Sequence, residues 1–295
     1  MKKKDPKKIQ PFFEAGRTAQ RADLLFELIH DLNINYIFER SFKMFEKTLL
    51  GNRFLFGILK NTIKQNPHEK LLNICQRMDM PDGYLKTFRK NLSDAQFIHF
   101  GFEENKNASI YKAYLEFPAK LDQMAKTDPD RSLSLLNKSE PLLMFFGFKW
   151  NADDNSKRVL TEYVCYPSLS FEKILGRLSA IFENDTSKKP LEIATDFLDI
   201  VSTRITHEKI NYFDVIEKKS KRRSFDINVY EANLQLEELY PLLSKMCRHY
   251  SISSRKFQIL YDRYRSRIVG HLSGGIGGNG KDFLTVYFGG KDSLF

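Results

Sequence analysis

A tyrosine recurs four times in this chain near the end of an apolar, alternating segment, two residues after a polar residue. The four segments read Lys112-Ala113-Tyr114, Thr161-Glu162-Tyr163, Asn228-Val229-Tyr230 and Thr285-Val286-Tyr287, with successive tyrosines 49, 67 and 57 residues apart. Each segment follows another strand-like run and a polar turn, and the first three precede a helical pattern. Recurrence at this spacing is typical of a repeated supersecondary unit, here strand, strand and helix.

Alternation along a strand gives each of these segments two different faces. One face is aliphatic, as in Leu284, Val286 and Phe288, and the other carries the polar residue and the tyrosine. Amphipathic helices need an apolar surface to pack against, so we expect them to cover the aliphatic face. The polar face then either meets solvent on an open sheet or lines a closed barrel, and closure would remove the exposed strand edges.

The repeat predicts one α+β domain over residues 19–295, with an antiparallel barrel enclosed by helices. Residues 94–295 hold the four strand–strand–helix units. Residues 19–93 form a helical N-terminal part, because apolar residues follow helical spacing from Arg21 to about Lys64. Residues 1–18 are polar and basic, which predicts a flexible arm.

Composition narrows the possible environments. The chain has 295 residues, 42% hydrophobic and 28% charged, an ordinary globular composition. No apolar run approaches the roughly 20 residues that span a bilayer, and the charged N-terminus lacks the apolar stretch of a secretory signal. The cysteines, Cys75, Cys165 and Cys247, show no paired or metal-type spacing. These features predict a cytoplasmic monomer without membrane association.

The net charge of +10 indicates an anionic partner. The cluster Lys218–Arg223 could contact nucleic acid, but no helix-turn-helix, zinc-finger or RNP-type signature accompanies it, so nucleic acid is not the expected partner. Gly275 to Lys281 matches the Walker A spacing superficially. Asp282 follows where Ser or Thr should ligate magnesium, and a strand follows where a helix should. We interpret this segment as a glycine-rich hairpin turn.

The four segments resemble the soluble aromatic prenyltransferases of the αββα, or prenyltransferase-barrel, type. Members of that family line an antiparallel barrel with Lys-x-Tyr and related polar-x-Tyr pairs inside a ring of helices. The Lys112 segment has the Lys form, and the Thr161, Asn228 and Thr285 segments have polar variants. The resemblance covers residues 95–290. The chain shows four strand pairs where the family has five, so the fifth either lies in the N-terminal region or is absent.

The resemblance implies transfer of an isoprenyl group from an allylic diphosphate to an aromatic acceptor, either a small molecule or a peptide side chain. Fixed cations would stabilise the leaving diphosphate, and the candidates are Lys112, Lys149 and Arg223. A carboxylate, Glu116 or Glu103, would orient or deprotonate the acceptor. Aromatic faces would shield the allylic cation. The tyrosines assigned to that role are Tyr114, Tyr163, Tyr230 and Tyr287, and the further chamber-lining residues are Thr161, Asn228, Thr285 and His99.

Other interpretations remain open at this stage. The four tyrosines could be ordinary cross-strand partners, because tyrosine is favoured on strands. The chain could be a non-catalytic module that binds an anionic ligand or a protein partner, or a basic nucleic-acid-binding protein. No Asp-Asp-x-x-Asp box occurs, so we expect no metal site and no cofactor, with Mg²⁺ entering only together with the diphosphate.

Overall fold

The computed structural model describes residues 17–105, 108–117, 141–183, 187–218 and 220–290, and the predicted arm at 1–18 lies outside them except for its last two residues. The helices are α1 (Arg17–His30), α2 (Pro67–Arg77), α3 (Asp82–Asn91), α4 (Phe171–Ile181), α5 (Lys189–Ser202), α6 (Tyr240–His249) and α7 (Ser254–Tyr264). The strands are β1 (Ile37–Phe45), β2 (Thr48–Leu50), β3 (Arg53–Leu59), β4 (Phe97–Asn105), β5 (Ala108–Glu116), β6 (Leu142–Asn151), β7 (Arg158–Tyr166), β8 (Asn211–Glu217), β9 (Arg223–Asn228), β10 (Val269–Ile276) and β11 (Asp282–Phe288). No helix within these ranges is both long and apolar enough to cross a lipid bilayer.

Ten of these strands close into an antiparallel barrel. From β3 to β11 each strand pairs with the next in the chain, and β1 pairs with both β3 and β11. The closing pair places Ser41 opposite Tyr287 and Lys43 opposite Thr285. The short β2 pairs with β1 outside this ring. Closure gives each of the ten strands two neighbours, which confirms the barrel over the open sheet.

The fifth strand pair, β1 with β3, lies in the N-terminal region. The prediction of helix from Arg21 to about Lys64 was wrong beyond α1, which ends at His30. In β1, Phe42 and Met44 are buried under the helices, while Ser41 and Lys43 face the barrel interior. This alternation has a period of two, the signature of a strand, and it begins shortly after the helical spacing of α1 stops. The rest of the predicted helical part before β4 contains α2 and α3.

Helices cover the aliphatic face of the barrel, as the repeat predicts. Ile227, Leu284 and Val286 are buried in one core with α4, α5 and α6, and Tyr111 and Leu115 are buried in a second core with α1, α2 and α3. Burial of each large apolar side chain contributes roughly 1.5–3 kcal/mol, so the outer face of the barrel supplies much of the stability. The interior positions are therefore free to carry polar and charged residues.

Candidate functional site

Interior side chains form three layers along the barrel axis, two residues apart on each strand. On β5 the order is Lys112, Tyr114 and Glu116, from the end where β5 begins to the end where it finishes. We call the layer around Lys112 the basic pole (Lys43, Arg53, Lys112, Lys149 and Arg222). The middle layer is the tyrosine belt (Tyr114, Tyr163 and Tyr287), and the third layer is the chamber.

The chamber is a cavity of about 420 Å³ at the end of the barrel where β1 begins. Its volume falls in the range of pockets that hold small organic ligands. All four tyrosines that the repeat singled out line it, together with the predicted residues Glu116, Asn228 and His99. Apolar and carboxyl side chains complete the wall, among them Ile37, Phe97, Phe145, Phe213, Glu39, Asp226 and Glu231.

The belt tyrosines pack as a layer between the chamber and the pole. The rings of Tyr114 and Tyr163 meet edge to face, with centroids 6.0 Å apart. Gly147 makes room for this arrangement, because a Cβ atom there would lie 2.8 Å from the Tyr114 ring. Burial raises the pKa of Tyr114, Tyr163 and Tyr287, so their hydroxyls stay protonated at neutral pH.

Tyr230 reaches the chamber by a different route from the other three tyrosines. Strand β9 ends at Asn228, and Tyr230 begins a short 3-10 turn, so this tyrosine lies beyond the strand. The ring lies edge to face with His271, at a centroid distance of 5.4 Å. It packs so closely on Gly270 that a Cβ atom there would clash with it. The tyrosine therefore belongs to the chamber wall and not to the belt.

The basic pole carries more positive than negative charge. The Lys112 ammonium lies 2.5 Å and the Arg53 guanidinium 2.7 Å from the same Glu103 oxygen. Arg222 lies 3.7 Å from Glu217. Five basic side chains thus lie near two carboxylates, so the basic groups outnumber the carboxylates by three among the described residues of this layer.

Burial makes the lysines of the pole costly to charge. It lowers the pKa of Lys43 to about 7 and the pKa of Lys112 to about 8, and it places the pKa of Lys149 well below the usual range. Burial alone would raise the pKa of Glu103, but Arg53, Lys112 and Lys43 outweigh it and hold that pKa well below its usual range. The buried basic groups of the pole outnumber the carboxylates beside them. A bound anion is therefore favoured, because it stabilises the protonated, charged forms of the lysines.

A histidine between two carboxyl groups lies along one wall of the chamber. The His271 Nδ1 atom lies 2.7 Å from Asp226 Oδ1, and its Nε2 atom lies 3.8 Å from Glu39 Oε1. The Tyr230 hydroxyl donates to Glu39 and accepts from the backbone N–H of Gly290 at 3.2 Å. Burial would lower the pKa of His271, but Asp226 and Glu39 raise it to about 9, so the ring is an imidazolium at neutral pH.

Glu39 on β1 and Glu116 on β5 are two of the carboxyl groups that line the chamber. Burial raises the pKa of Glu39 above its usual range, and the His271 charge opposes that shift. Glu116 lies on another wall, with Oε2 2.7 Å from His99 Nε2. A carboxylate whose pKa is raised is a stronger base than an ordinary carboxylate.

Some predicted site residues lie elsewhere. Glu103 is in the basic pole, where two cations hold it, and does not line the chamber. Arg223 points out of the barrel and donates to the backbone carbonyl of Ala180 at 3.2 Å. Thr161 and Thr285 face the interior but are fully buried and do not line the chamber. Lys112 and Lys149, in contrast, lie side by side in the pole, as paired residues of β5 and β6.

The sequence analysis missed Lys43, Arg53 and Glu39, all on the first strand pair. The inward alternation of Glu39, Ser41 and Lys43 was the signal that could have identified them. Arg222 was inside the basic cluster, but its neighbour Arg223 was chosen. Among the described side chains, no three His, Cys, Asp or Glu groups converge in a way that would hold a metal ion.

Several prenyltransferases of solved structure have a fold similar to that of this chain. Prenyltransferase PriB in its apo form is 10% identical, with a TM-score of 0.61 over 95% of this chain and 92% of that chain. The PriB ternary complex with L-tryptophan and dimethylallyl thiolodiphosphate has the same TM-score at 11% identity, over the same shares of the two chains. NotF prenyltransferase is 15% identical, with a TM-score of 0.51 over 86% of this chain and 80% of that chain.

The resemblance to the αββα prenyltransferases is thereby confirmed at the level of the fold. No protein-family model matches the sequence, and no curated protein matches it significantly. At sequence identities of 10–15%, the similarity shows a shared barrel fold only. The activity has to be argued from the residues of the site.

Proposed function

We propose that this protein transfers an isoprenyl group from an allylic diphosphate to an aromatic acceptor. The observation that carries the proposal is the order of the three interior layers. Cations, tyrosine rings and a chamber with carboxyl groups follow one another along one axis, in the sequence that this reaction needs. A PriB structure contains an aromatic amino acid and a dimethylallyl thiolodiphosphate, which supports the same reading of the barrel.

The diphosphate binds in the basic pole. An allylic diphosphate carries about three negative charges at neutral pH, and protonation of all five basic groups of the pole would give it a surplus of three positive charges. Lys43 and Lys149 have depressed pKa values in the empty protein, and a bound anion raises them again. Fixed cations stabilise the charge that develops on the leaving diphosphate without reorganisation.

The allylic carbon lies at the tyrosine belt. As the C–O bond to the diphosphate breaks, its electron pair leaves with the diphosphate, and the allyl group becomes a cation. The faces of Tyr114, Tyr163 and Tyr287 stabilise that cation through their ring electrons. A small gap of about 20 Å³ is lined in part by Lys112 of the pole and by Tyr114 and Tyr287 of the belt.

The acceptor binds in the chamber, with its reactive carbon towards the belt. Its ring electrons form the new C–C bond, and the proton on that carbon then passes to a carboxylate. Glu39 is the better placed base, because it lies in the chamber wall and burial raises its pKa, which makes its carboxylate more basic. Glu116 is the second candidate. Glu103 does not serve, because it lies beyond the belt in ion pairs with Lys112 and Arg53.

The proposal is tested by thermal unfolding with dimethylallyl and geranyl diphosphate, followed by mass spectrometry of reactions with a panel of indoles and phenols. A ligand at about 100 times its dissociation constant adds roughly 2.7 kcal/mol of stability, which raises the melting temperature. We expect a larger shift with the isoprenyl diphosphates than with inorganic diphosphate, and a product heavier by one isoprenyl unit. A shift without product would favour a binding module, and no shift would overturn the proposal.

A further inference from the structure

We propose that the diphosphate head group reaches and leaves the basic pole through a groove in the barrel wall, and not through the chamber mouth. The inference rests on the proposed function. The groove has a volume of about 280 Å³ and lies between α4 and the β8–β9 hairpin. Its lining includes Arg177, Asp214, Ile216, Arg222, Arg223 and Ser224.

The groove and the basic pole share Arg222. Its guanidinium lies 5.2 Å from the centroid of the Phe283 ring, which also carries the Lys43 ammonium. Its Nε donates to the Ser224 hydroxyl at 3.0 Å, and Ser224 faces the barrel interior beside Val215. The groove thus crosses the wall where the β8–β9 pairing ends, and an anion in it meets a side chain of the pole.

The groove is predominantly positive, whereas the chamber is predominantly negative. Arg177, Arg222 and Arg223 line the groove against a single carboxylate, Asp214, which pairs with Arg177 at 2.7 Å. The chamber carries four carboxyl groups and the cationic His271. The carboxyl groups belong to Glu39, Glu116, Asp226 and Glu231. A trianionic head group is attracted to the groove and repelled by the mouth.

The tyrosine belt also favours the groove. A head group that came through the mouth would have to pass the rings of Tyr114, Tyr163 and Tyr287, of which Tyr114 and Tyr163 pack edge to face with centroids 6.0 Å apart. Moving a trianion through such a layer requires its desolvation away from cations, which is costly. An isoprenyl tail that came from the pole side is apolar and packs against the same rings. The tail, and not the head, is the part that passes the belt.

Two pairs of substitutions distinguish the routes. Ile216 lines the groove and is 44% exposed, so Ile216→Glu and Ile216→Lys change only the local charge and leave the fold intact. Glu231→Lys and Glu231→Gln change the charge at the mouth. Stopped-flow fluorescence measures the association rate constant of geranyl diphosphate. The same measurement with inorganic diphosphate is the control for a head group without an isoprenyl tail.

We expect Ile216→Glu to slow association about threefold or more and Ile216→Lys to accelerate it at low salt, with both effects lost at high salt because surface charges are screened. The Glu231 variants should leave the rate within twofold of the wild type. Acceleration by Glu231→Lys, with no effect of the Ile216 pair, would overturn the groove route while leaving the proposed reaction standing. Failure of the wild-type protein to bind geranyl diphosphate at all would overturn the proposed function itself, and the route with it.

Discussion

The ammonium group of Lys43 lies 4.0 Å from the centroid of the Phe283 ring, inside the barrel. Arg222 approaches the same ring to 5.2 Å, so one aromatic side chain carries two cations. Cation–π contacts compensate part of the desolvation of a buried cation. They leave the Lys43 ammonium able to bind an incoming anion, which a permanent carboxylate partner would oppose.

Replacement of Lys43 by methionine should stabilise the protein in the absence of ligand. The pKa of Lys43 is about 7 in the folded protein and about 10.4 in the unfolded chain. Between these pH values the unfolded state binds more protons, so the free energy of unfolding rises with pH across this window. Lys43→Met removes the burial cost, and we expect a gain on the order of 1 kcal/mol at pH 7.

Urea unfolding at pH 7 and pH 9 measures this difference. The wild type should gain stability between these pH values relative to Lys43→Met. Lys157→Met is the control, because the Lys157 side chain is 73% exposed. Equal pH dependence in the wild type and Lys43→Met would show that Lys43 is not desolvated.

Diphosphate binding should take up protons above neutral pH. Lys43 and Lys112 have pKa values of about 7 and about 8 in the empty protein. At pH 8 they are partly neutral, and the bound anion favours their charged forms. Affinity therefore falls as pH rises from 7 to 9. Calorimetric titrations at pH 8 in two buffers of different ionisation enthalpy count the protons, and identical heats in both buffers would contradict this account.

The tyrosine belt should protect the allylic cation from water. Tyr163→Leu keeps the apolar volume but removes the aromatic face that stabilises the cation. We expect this variant to release more prenyl alcohol relative to transfer product, while Tyr163→Phe, which keeps the ring, retains the wild-type ratio. Chromatography of both products measures the ratio. An unchanged ratio in Tyr163→Leu would assign the ring a packing role with Phe145 and Tyr114 alone.

Glu39→Gln should reduce turnover while it leaves diphosphate binding unchanged. The amide still accepts the hydrogen bond from Tyr230 but cannot take a proton, and loss of a general base typically costs 10²–10⁴-fold. Single-turnover rates and the thermal shift with geranyl diphosphate are measured on the same protein. If Glu116→Gln loses turnover and Glu39→Gln does not, the base is Glu116.

The repeat predicted much of the barrel. Four strand pairs, the outward aliphatic face and the inward position of Lys112 followed from alternation alone, because a strand's side-chain period is fixed at two. Closure was predicted as well, but the fifth pair was not located. In β1 the alternation of Glu39, Ser41 and Lys43 with other residues is typical of a strand, but the sequence does not tell whether this charged face lies inside a barrel or in solvent.

The contacts that the charged side chains make could not be predicted from the sequence either. Arg222 and Arg223 are adjacent in the chain, yet one faces Phe283 inside the barrel and the other binds the carbonyl of Ala180 on α4. Which of the two side chains points into the barrel depends on the residue at which the turn ends and β9 begins. The length of that turn could not be predicted from the sequence. Glu103 faces the barrel interior, but ion pairs with Arg53 on β3 and Lys112 on β5 hold its carboxylate in the basic pole, away from the chamber.

Calorimetric titration of geranyl diphosphate into the wild type and Lys149→Met tests the central claim most directly. Lys149 is buried in the pole beside Lys112, and loss of one charge-assisted hydrogen bond costs about 1.5–3 kcal/mol. We predict one site per chain in the wild type and at least tenfold weaker binding in Lys149→Met, with Lys157→Met unchanged. Equal affinities in all three proteins would place the diphosphate outside the barrel and contradict the account.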